Sequence, residues 1–306
     1  MKKILAIDTG GTKTIYALVS DNGEFLTQIK RAATPKEIDE LKNLFIEIIK
    51  EYENEAEIIS FATAGAVNID NTRVESSTPN MPKGYNELDF SKLSKKPVYV
   101  ENDANAAAWA EYKTGAAKGE DNTITITLGT GVGGGFMSGC KLVRGATGKG
   151  GEVGSMKIKN EGRVCTCGRK DCFESYASGT GLKMTAEKIA MEDKIFETSF
   201  LKDKKTNQIT TYDIIEGLKN NDLYCRKVFN IWENDIITGL INITNIFNPQ
   251  SIIISGGIGK CVDITKIEKA VNDEIVVTPV KIRHAEKENN SGLIGSALLA
   301  FQKFCV

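Results

Sequence analysis

The apolar positions of the chain fall into short runs punctuated by glycine. Lys3-Ile4-Leu5-Ala6-Ile7-Asp8 is a β-rich apolar run closed by an acid and followed by Thr9-Gly10-Gly11-Thr12-Lys13. Asn122-Thr123-Ile124-Thr125-Ile126-Thr127-Leu128 is a second such run, followed by Gly129-Thr130-Gly131-Val132-Gly133-Gly134-Gly135. In both, β-forming residues resume after the glycines, in Thr14-Ile15-Tyr16-Ala17-Leu18-Val19 and in Phe136-Met137. That pattern is strand, tight turn, strand: a β-hairpin rather than a strand running into a helix. The repetition predicts two halves of similar design.

Between the hairpins, residues 35–52 read as an amphipathic helix with Ile38, Leu41, Leu44, Phe45 and Ile48 on one stripe. Residues 58–62 and 97–100 read as buried strands, and the Ala-rich stretch 105–112 as a helix. The chain then turns mostly helical, over residues 181–191, 211–220 and 222–247. A late strand, Ser251-Ile252-Ile253-Ile254, runs into Ser255-Gly256-Gly257, and residues 292–303 form a last helix. Residues 202–208 are polar throughout and read as a solvated loop.

A length of 306 residues predicts about two domains. The formal net charge of -1 gives no bulk electrostatic attraction to nucleic acid or to an anionic membrane, so neither is expected as a partner. No apolar stretch approaches the roughly 20 residues that span a bilayer, and no signal peptide is visible, so the chain is expected in the cytoplasm. Seven cysteines is an odd number, and three of them crowd into residues 165–172, which reads as a reduced, metal-capable cluster rather than a disulfide framework. Cys140, Cys225, Cys261 and Cys305 are scattered and read as small buried hydrophobes. The single histidine, His284, leaves no room for chemistry needing several His ligands, and it reads as a structural or surface residue.

Backbone N–H groups converging at a Gly-rich turn form an anion site, because glycine lets the main chain approach a phosphate without a Cβ in the way. Asp8 would repel a phosphate, but suits Mg²⁺ or a magnesium-bound water beside one, and Thr12 and Lys13 add a hydroxyl and a positive charge. A plain hairpin with a Gly-rich tip is the bland alternative, and a second hairpin of the same grammar weakens it. The run at 129–135 is not a dinucleotide fingerprint, since no helix and no ribose-binding acid follow in the right places. Glu101-Asn102-Asp103-Ala104 lies between a strand and a helix, where Asp103 could accept a hydroxyl proton while Asn102 holds a sugar. Either residue could instead cap the helix, and the two roles are compatible. Glu152 and Glu174 flank the cysteines as acceptors for vicinal hydroxyls, or as surface charges. Cys165, Cys167 and Cys172 have the spacing C-x-C-x4-C of a zinc site, which wants a fourth ligand, or they remain reduced thiols without metal.

Taken in order, these motifs resemble the ROK family of sugar kinases and sugar-responsive repressors, from residue 4 to about 299: Asp8-x-Gly-Gly-Thr-Lys, Glu101-Asn-Asp, Leu128-Gly-Thr-Gly-Val-Gly-Gly-Gly, Gly151-Glu-x-Gly, C-x-C-Gly168-x3-C-x-Glu174 and Ser255-Gly-Gly. The resemblance implies an actin-like ATPase (ribonuclease H-like) fold: two α/β domains of related design with the active site in the cleft between them. On that reading residues 1–117 plus 290–306 form a smaller domain, and residues 118–289 a larger one carrying the cysteines. It implies ATP and Mg²⁺, with the nucleotide held by Asp8, Gly10, Gly11, Thr12 and Lys13, by Gly129, Thr130, Gly131, Gly133 and Gly134, and by Gly256 and Gly257 near the adenosine. It makes Asp103 the catalytic base and places Gly65, Asn80 (in Thr78-Pro79-Asn80), Asn102, Asp103, Glu152 and Glu174 on the sugar.

One position departs from the family pattern, which continues Gly-Glu-x-Gly with a His that ligates zinc and touches the sugar; here it is Ser155. A serine hydroxyl is a poor zinc ligand, so zinc on Cys165, Cys167 and Cys172 is left either without its usual fourth ligand or absent, while Ser155 keeps a hydroxyl for the sugar. Ala107-Ala-Trp109-Ala-Glu111 and Ser138-Gly-Cys140-Lys-Leu142 look similar to N-acetylmannosamine kinases, and much of the rest suits a glucokinase. The expected reaction is phosphorylation of a primary 6-hydroxyl, on N-acetylmannosamine first and glucose second. A repressor would carry a helix-turn-helix ahead of the first hairpin, for which residue 4 leaves no room. A non-catalytic sugar sensor would be expected to lose Asp103 or a phosphate glycine. The resemblance also favours a homodimer.

Overall fold

The computed structural model describes residues 1–77 and 79–306; Thr78, quoted above beside Asn80, lies outside the described residues. The first hairpin forms as β1 (Lys3–Thr9) and β2 (Lys13–Ser20), antiparallel, with Lys3 opposite Ser20 and Thr9 opposite Thr14. It is followed by β3 (Lys30–Ala33), α1 (Ile38–Glu51), β4 (Ile58–Thr63), the small β5 (Ala66–Val67) and β6 (Val74–Ser76) pair, β7 (Val98–Asn102) and α2 (Asp103–Thr114). The second half opens with β8 (Thr123–Leu128), β9 (Val132–Ser138) and β10 (Lys141–Leu142). Helices α3 (Phe173–Ala177), α4 (Gly179–Glu192), α5 (Thr211–Lys219) and α6 (Leu223–Phe247) follow, then β11 (Ser251–Ser255), α7 (Ile264–Glu274), β12 (Lys281–His284) and α8 (Ser291–Cys305).

The two main sheets repeat one order. The first runs β3-β2-β1-β4-β7 and the second β10-β9-β8-β11-β12, so each hairpin occupies the same place in its own sheet. In the first, β1 lies parallel to β4 and β4 parallel to β7; in the second, β11 lies parallel to β12. The chain divides into two compact units, one comprising Met1–Thr125, Gly134–Gly151 and Ala285–Val306, the other Ile126–Gly133 and Glu152–His284.

Strand β1 reads as continuous apolar sequence because both of its faces are covered. Leu5 and Ile7 pack with Leu41, Phe45 and Ile48 of α1 on one side. Ile4 and Ala6 pack with Trp109 of α2 and with Leu293 and Ala297 of α8 on the other. Phe45, Phe61 and Phe90 meet with ring centroids 5.0 to 6.0 Å apart, filling the α1 side with edge-on and tilted aromatic contacts.

Several boundaries differ from the sequence reading for identifiable reasons. Helix α1 starts at Ile38 rather than at 35, because the Thr34 N–H still donates to the Thr12 carbonyl (3.1 Å) and keeps the chain extended. Helix α7 lies outside the elements read from the sequence, although Ile264, Ile267 and Val271 fall on one helical face at i, i+3, i+7. The reading of the scattered cysteines as buried holds for Cys225 but not for the exposed Cys140 and Cys305, with Cys261 between. Cys140 sits at φ 63° in the turn before β10 and bonds to Asp121, while Cys305 ends the last helix. Among the described residues no helix is long and apolar enough to cross a membrane.

Truncating the fully buried Phe45 to Ala should cost about 3–5 kcal/mol, read as a lower urea midpoint at unchanged m-value. A loss under about 1 kcal/mol would remove Phe45 from the core that supports β1.

Candidate active site

In the first unit, chemistry collects where β1 and β7 end. Asp8 lies near the end of β1, and burial, then the charge of Asp103, push its carboxyl up to about 7 against the pull of Lys13. Its carboxylate projects at α8, where a Cβ on Gly292 would lie 2.4 Å from Oδ2, so glycine there makes room for the acid. Gly10 N–H donates to the Lys13 carbonyl (3.0 Å), closing the turn. Gly11 is packed against Asn80, whose Cβ would stand 2.6 Å from an added Cβ, whereas Gly10 has only the Lys13 carbonyl nearby at 3.8 Å among the described residues. Lys36 donates to the carbonyls of Gly11 and Asn80, and Thr12 and Lys13 are exposed.

Asn102 caps α2: its Oδ1 accepts from the N–H groups of Ala104 (2.9 Å) and Asn105 (3.1 Å), and its Nδ2 donates to the Gly65 carbonyl (3.0 Å). Gly65 is held at φ 112°, and a Cβ there would lie 2.5 Å from the Ser76 carbonyl oxygen. The capping reading of Asn102 is therefore met, and it leaves Asp103 as the first residue of α2, its Oδ1 accepting from Ala104 N–H at 2.8 Å. The Asp103 charge acts on Asp8 and also on Tyr85, whose hydroxyl is pushed up mainly by burial and lies 2.7 Å from Thr63 Oγ1. Asp8, Asp103 and Tyr85 thus share one neighbourhood. Tyr85, Lys36 and Gly292 carry no spacing signal that the sequence reading could have used.

In the second unit, Gly129 N–H donates to the Gly131 carbonyl (3.0 Å), and its own carbonyl accepts from Gly179 N–H (2.8 Å). Thr180 Oγ1 donates to the Thr130 carbonyl (2.9 Å). Glu174 reaches into this turn: its Oε2 accepts from Val132 N–H at 3.1 Å, and a Cβ on Gly131 would stand 2.3 Å from it. Its Oε1 accepts from Thr166 Oγ1 at 2.7 Å and lies 3.6 Å from Cys165 Sγ. Gly129 and Gly257 have nothing within 4 Å of an added Cβ among the described residues, while Gly256, at φ 89°, is pressed against Leu128 at 2.3 Å. Gly133 is half-buried in β9, and Gly134, which follows it into the first unit, is buried.

Glu152 is exposed; the protein crowding its carboxyl, then the charge of Glu174, push it up, and Arg169 opposes them. Arg169 Nη2 donates to Ser155 Oγ at 2.9 Å. The sulfurs of Cys165, Cys167 and Cys172 all lie within 4.8 Å of one another, with Cys167 and Cys172 at 3.6 Å. Four-coordinate zinc with Zn–S of about 2.3 Å has S···S edges of about 3.8 Å, so the thiol trio fits such an ion. Burial pushes Cys165 up and Cys172 up to about 12; Cys167 resists the same burial through its bond to Arg169 and falls to about 7.

Two five-stranded sheets of one strand order, each with a β-hairpin in the same place, make this an α/β fold of the actin-like ATPase class. The chain belongs to the ROK family, which it matches over residues 4–303. It is 31% identical over 308 residues to a glucokinase of Streptomyces coelicolor, covering 97% of this chain and 96% of that one. It is 28% identical to an N-acetylmannosamine kinase of Yersinia pestis, covering 98% and 99%. The crystal structure of a ROK family glucokinase from Streptomyces griseus in complex with glucose and AMPPNP superposes with a TM-score of 0.82 at 29% identity, covering 98% and 99%. The chain is accordingly an enzyme, a sugar kinase.

The raised carboxyl of Asp8 gives a pH prediction. Its folded value of about 7 exceeds an unfolded value of about 3.9, so its contribution is present at low pH and is lost as pH rises toward 7. In EDTA, the melting temperature of the wild type should fall more between pH 5 and pH 8 than that of Asp8→Asn, and Mg²⁺ at pH 8 should narrow the gap. Parallel curves in EDTA would refute the assignment.

Proposed function

We propose that this sugar kinase transfers the γ-phosphoryl group of ATP to the primary 6-hydroxyl of a hexose or N-acetylhexosamine, with Asp103 as the base. Asp103 takes the hydroxyl proton, the freed oxygen bonds to the γ-phosphorus, and the bond to the β-phosphate oxygen breaks to release ADP. The observation that carries this reading is the placement of Asp103 at the first position of α2, with its backbone turn pinned by Asn102 and its charge felt by Asp8. Asp8 is the residue suited to hold Mg²⁺, directly or through water; that ion, when bound, supplies neutralisation of phosphate charge. Gly10, Gly129 and Gly257, which have open faces in these turns among the described residues, offer main chain to the nucleotide, with Thr12, Lys13, Thr130, Gly133 and Gly134 beside them. Gly11, Gly131 and Gly256 act in the same turns by fitting against their own neighbours. Asn80, Gly65, Asn102, Glu152, Ser155 and Glu174 are assigned to the sugar by family pattern.

Retention of Asp103 and of both hairpins supports a kinase over a non-catalytic sugar sensor. For the sugar, N-acetylmannosamine and glucose stand as the two candidates. The segments that favoured N-acetylmannosamine prove to be packing and turn residues, with Trp109 2% exposed and Cys140 at a tight turn, so they carry little weight on substrate. A soluble cytoplasmic homodimer is the setting we assign to the enzyme, and light scattering in solution checks the dimer.

ADP release with Mg-ATP should be measured against N-acetylmannosamine, glucose, N-acetylglucosamine, mannose and fructose. One sugar should lead by kcat/KM, and Asp103→Asn should lower its kcat about 10²–10⁴-fold while leaving sugar binding measurable. Near-normal turnover in that variant would sink the base assignment.

We assign zinc to Cys165, Cys167 and Cys172. Protein purified without chelators should contain close to one zinc per chain, and Cys167→Ser should lower that content. Wild-type protein free of zinc would leave the trio as reduced thiols.

A further inference from the structure

The acid immediately before the Asn102–Asp103 pair has no role in the reaction above, yet it is fully enclosed. Glu101 is 0% exposed. Its Oε1 accepts from the backbone N–H of Asn102 (3.0 Å) and from Asn105 Nδ2 (3.1 Å). Its Oε2 accepts from Tyr99 OH (2.9 Å) and Asn71 Nδ2 (3.2 Å), and pairs with Arg144 Nε at 3.2 Å. A buried carboxylate needs a counterion as well as hydrogen bonds, and Arg144 supplies it.

Arg144 is itself anchored from the other side. Its Nη1 donates to the Ile69 carbonyl (3.1 Å) and Asn71 Oδ1 (2.9 Å), and its Nη2 to the Asn68 carbonyl (2.9 Å). Asn71, buried and at φ 62°, closes the circuit: its carbonyl accepts from Val100 N–H (3.0 Å), and its Nδ2 donates to the Val100 carbonyl (2.8 Å). Strand β7 is the edge of its sheet, so these bonds replace the neighbour strand that its last residues lack.

We propose that the buried Glu101–Arg144 pair positions the catalytic turn: the carboxylate fixes the Asn102 N–H at the exit of β7, and Arg144 and Asn71 hold that carboxylate in place. Glu101 and Arg144 are positioning residues, acting through Asn102 and Asp103 without touching substrate. The proposal rests on the reading of Asp103 as base. An edge strand would otherwise fray at its end, and loss of about 1 Å in the placement of a base costs on the order of 10²-fold in rate.

The test is Glu101→Gln, which keeps the shape but removes the charge, alongside Arg144→Lys, Arg144→Met, the double variant Glu101→Gln with Arg144→Met, and Asp103→Asn. With whichever sugar the panel shows is turned over, Glu101→Gln should lower kcat about 10- to 100-fold with the KM for ATP within about twofold. Arg144→Met, which strands the carboxylate, should lose more than the double variant, and Arg144→Lys should recover part of that loss. Hydrogen exchange over residues 101–106 gives a readout that needs no sugar: it should quicken in Glu101→Gln while residues 58–63 stay protected. Should Glu101→Gln fail to fold, Arg144→Lys decides by the same two readouts. A folded variant with wild-type kcat and wild-type exchange over 101–106 overturns the proposal. If Asp103→Asn is inactive in that case, the base assignment survives and only the positioning role falls; if Asp103→Asn is active, the base assignment fails by itself.

Discussion

Coverage of a strand on both faces decides where this chain can carry polarity. Ile4, Leu5, Ala6 and Ile7 are all fully buried, with α1 on one side and α2 and α8 on the other. Between Ile4 and Ile7 this strand carries no charge, and its one acid, Asp8, comes next to its last residue. Even there the surroundings raise the carboxyl, and α8 yields space for it through Gly292. Strand β8 obeys the same constraint with threonine among its isoleucines: Thr123 and Thr125 are buried beside Ile124 and Ile126. The Gly-rich turns thus stand at the ends of enclosed strands, which fixes their backbone from behind and leaves only the turn itself to meet a ligand.

Within those turns glycine answers two different demands. Gly10, Gly129 and Gly257 have open faces among the described residues, the condition for close approach of a phosphate to main chain. Gly11, Gly131 and Gly256 are crowded by Asn80, Glu174 and Leu128. A motif of alternating glycines reads in sequence as one phosphate cradle; in three dimensions half of it is the fit of the cradle against its own support. Glu174, which the family pattern assigns to a sugar, also supports the turn: its two oxygens tie the hairpin at Val132 to the cysteine segment at Thr166.

The hairpins, the enclosed strands and the helix beginning at Asp103 were legible because each rests on a local signal: β-branched runs, Gly turns, a capping amide. The repeated order of the two sheets was visible only as a repeated grammar, since strand order depends on pairings far apart in sequence. Short strands such as β3, with its exposed residues, have no alternation to read. The partners of the site were illegible for a similar reason. Lys36 meets Gly11, Arg144 meets Glu101 and Arg169 meets Ser155 through side chains whose positions follow from tertiary packing.

The cysteine segment has protein bonds of its own beside the metal proposed for it. Buried Asp171, at φ 65°, accepts from the N–H groups of Glu161, Gly162 and Arg163 and from Tyr176 OH. A dication on three thiolates keeps one net negative charge, which a neutral fourth ligand such as histidine would leave uncompensated. At the place where the family pattern has that histidine, Ser155 accepts from Arg169, whose guanidinium also bonds Cys167. On the zinc reading Ser155 supplies no imidazole ligand, and Arg169 places one positive charge beside the sulfurs, opposite in sign to what the three thiolates leave over.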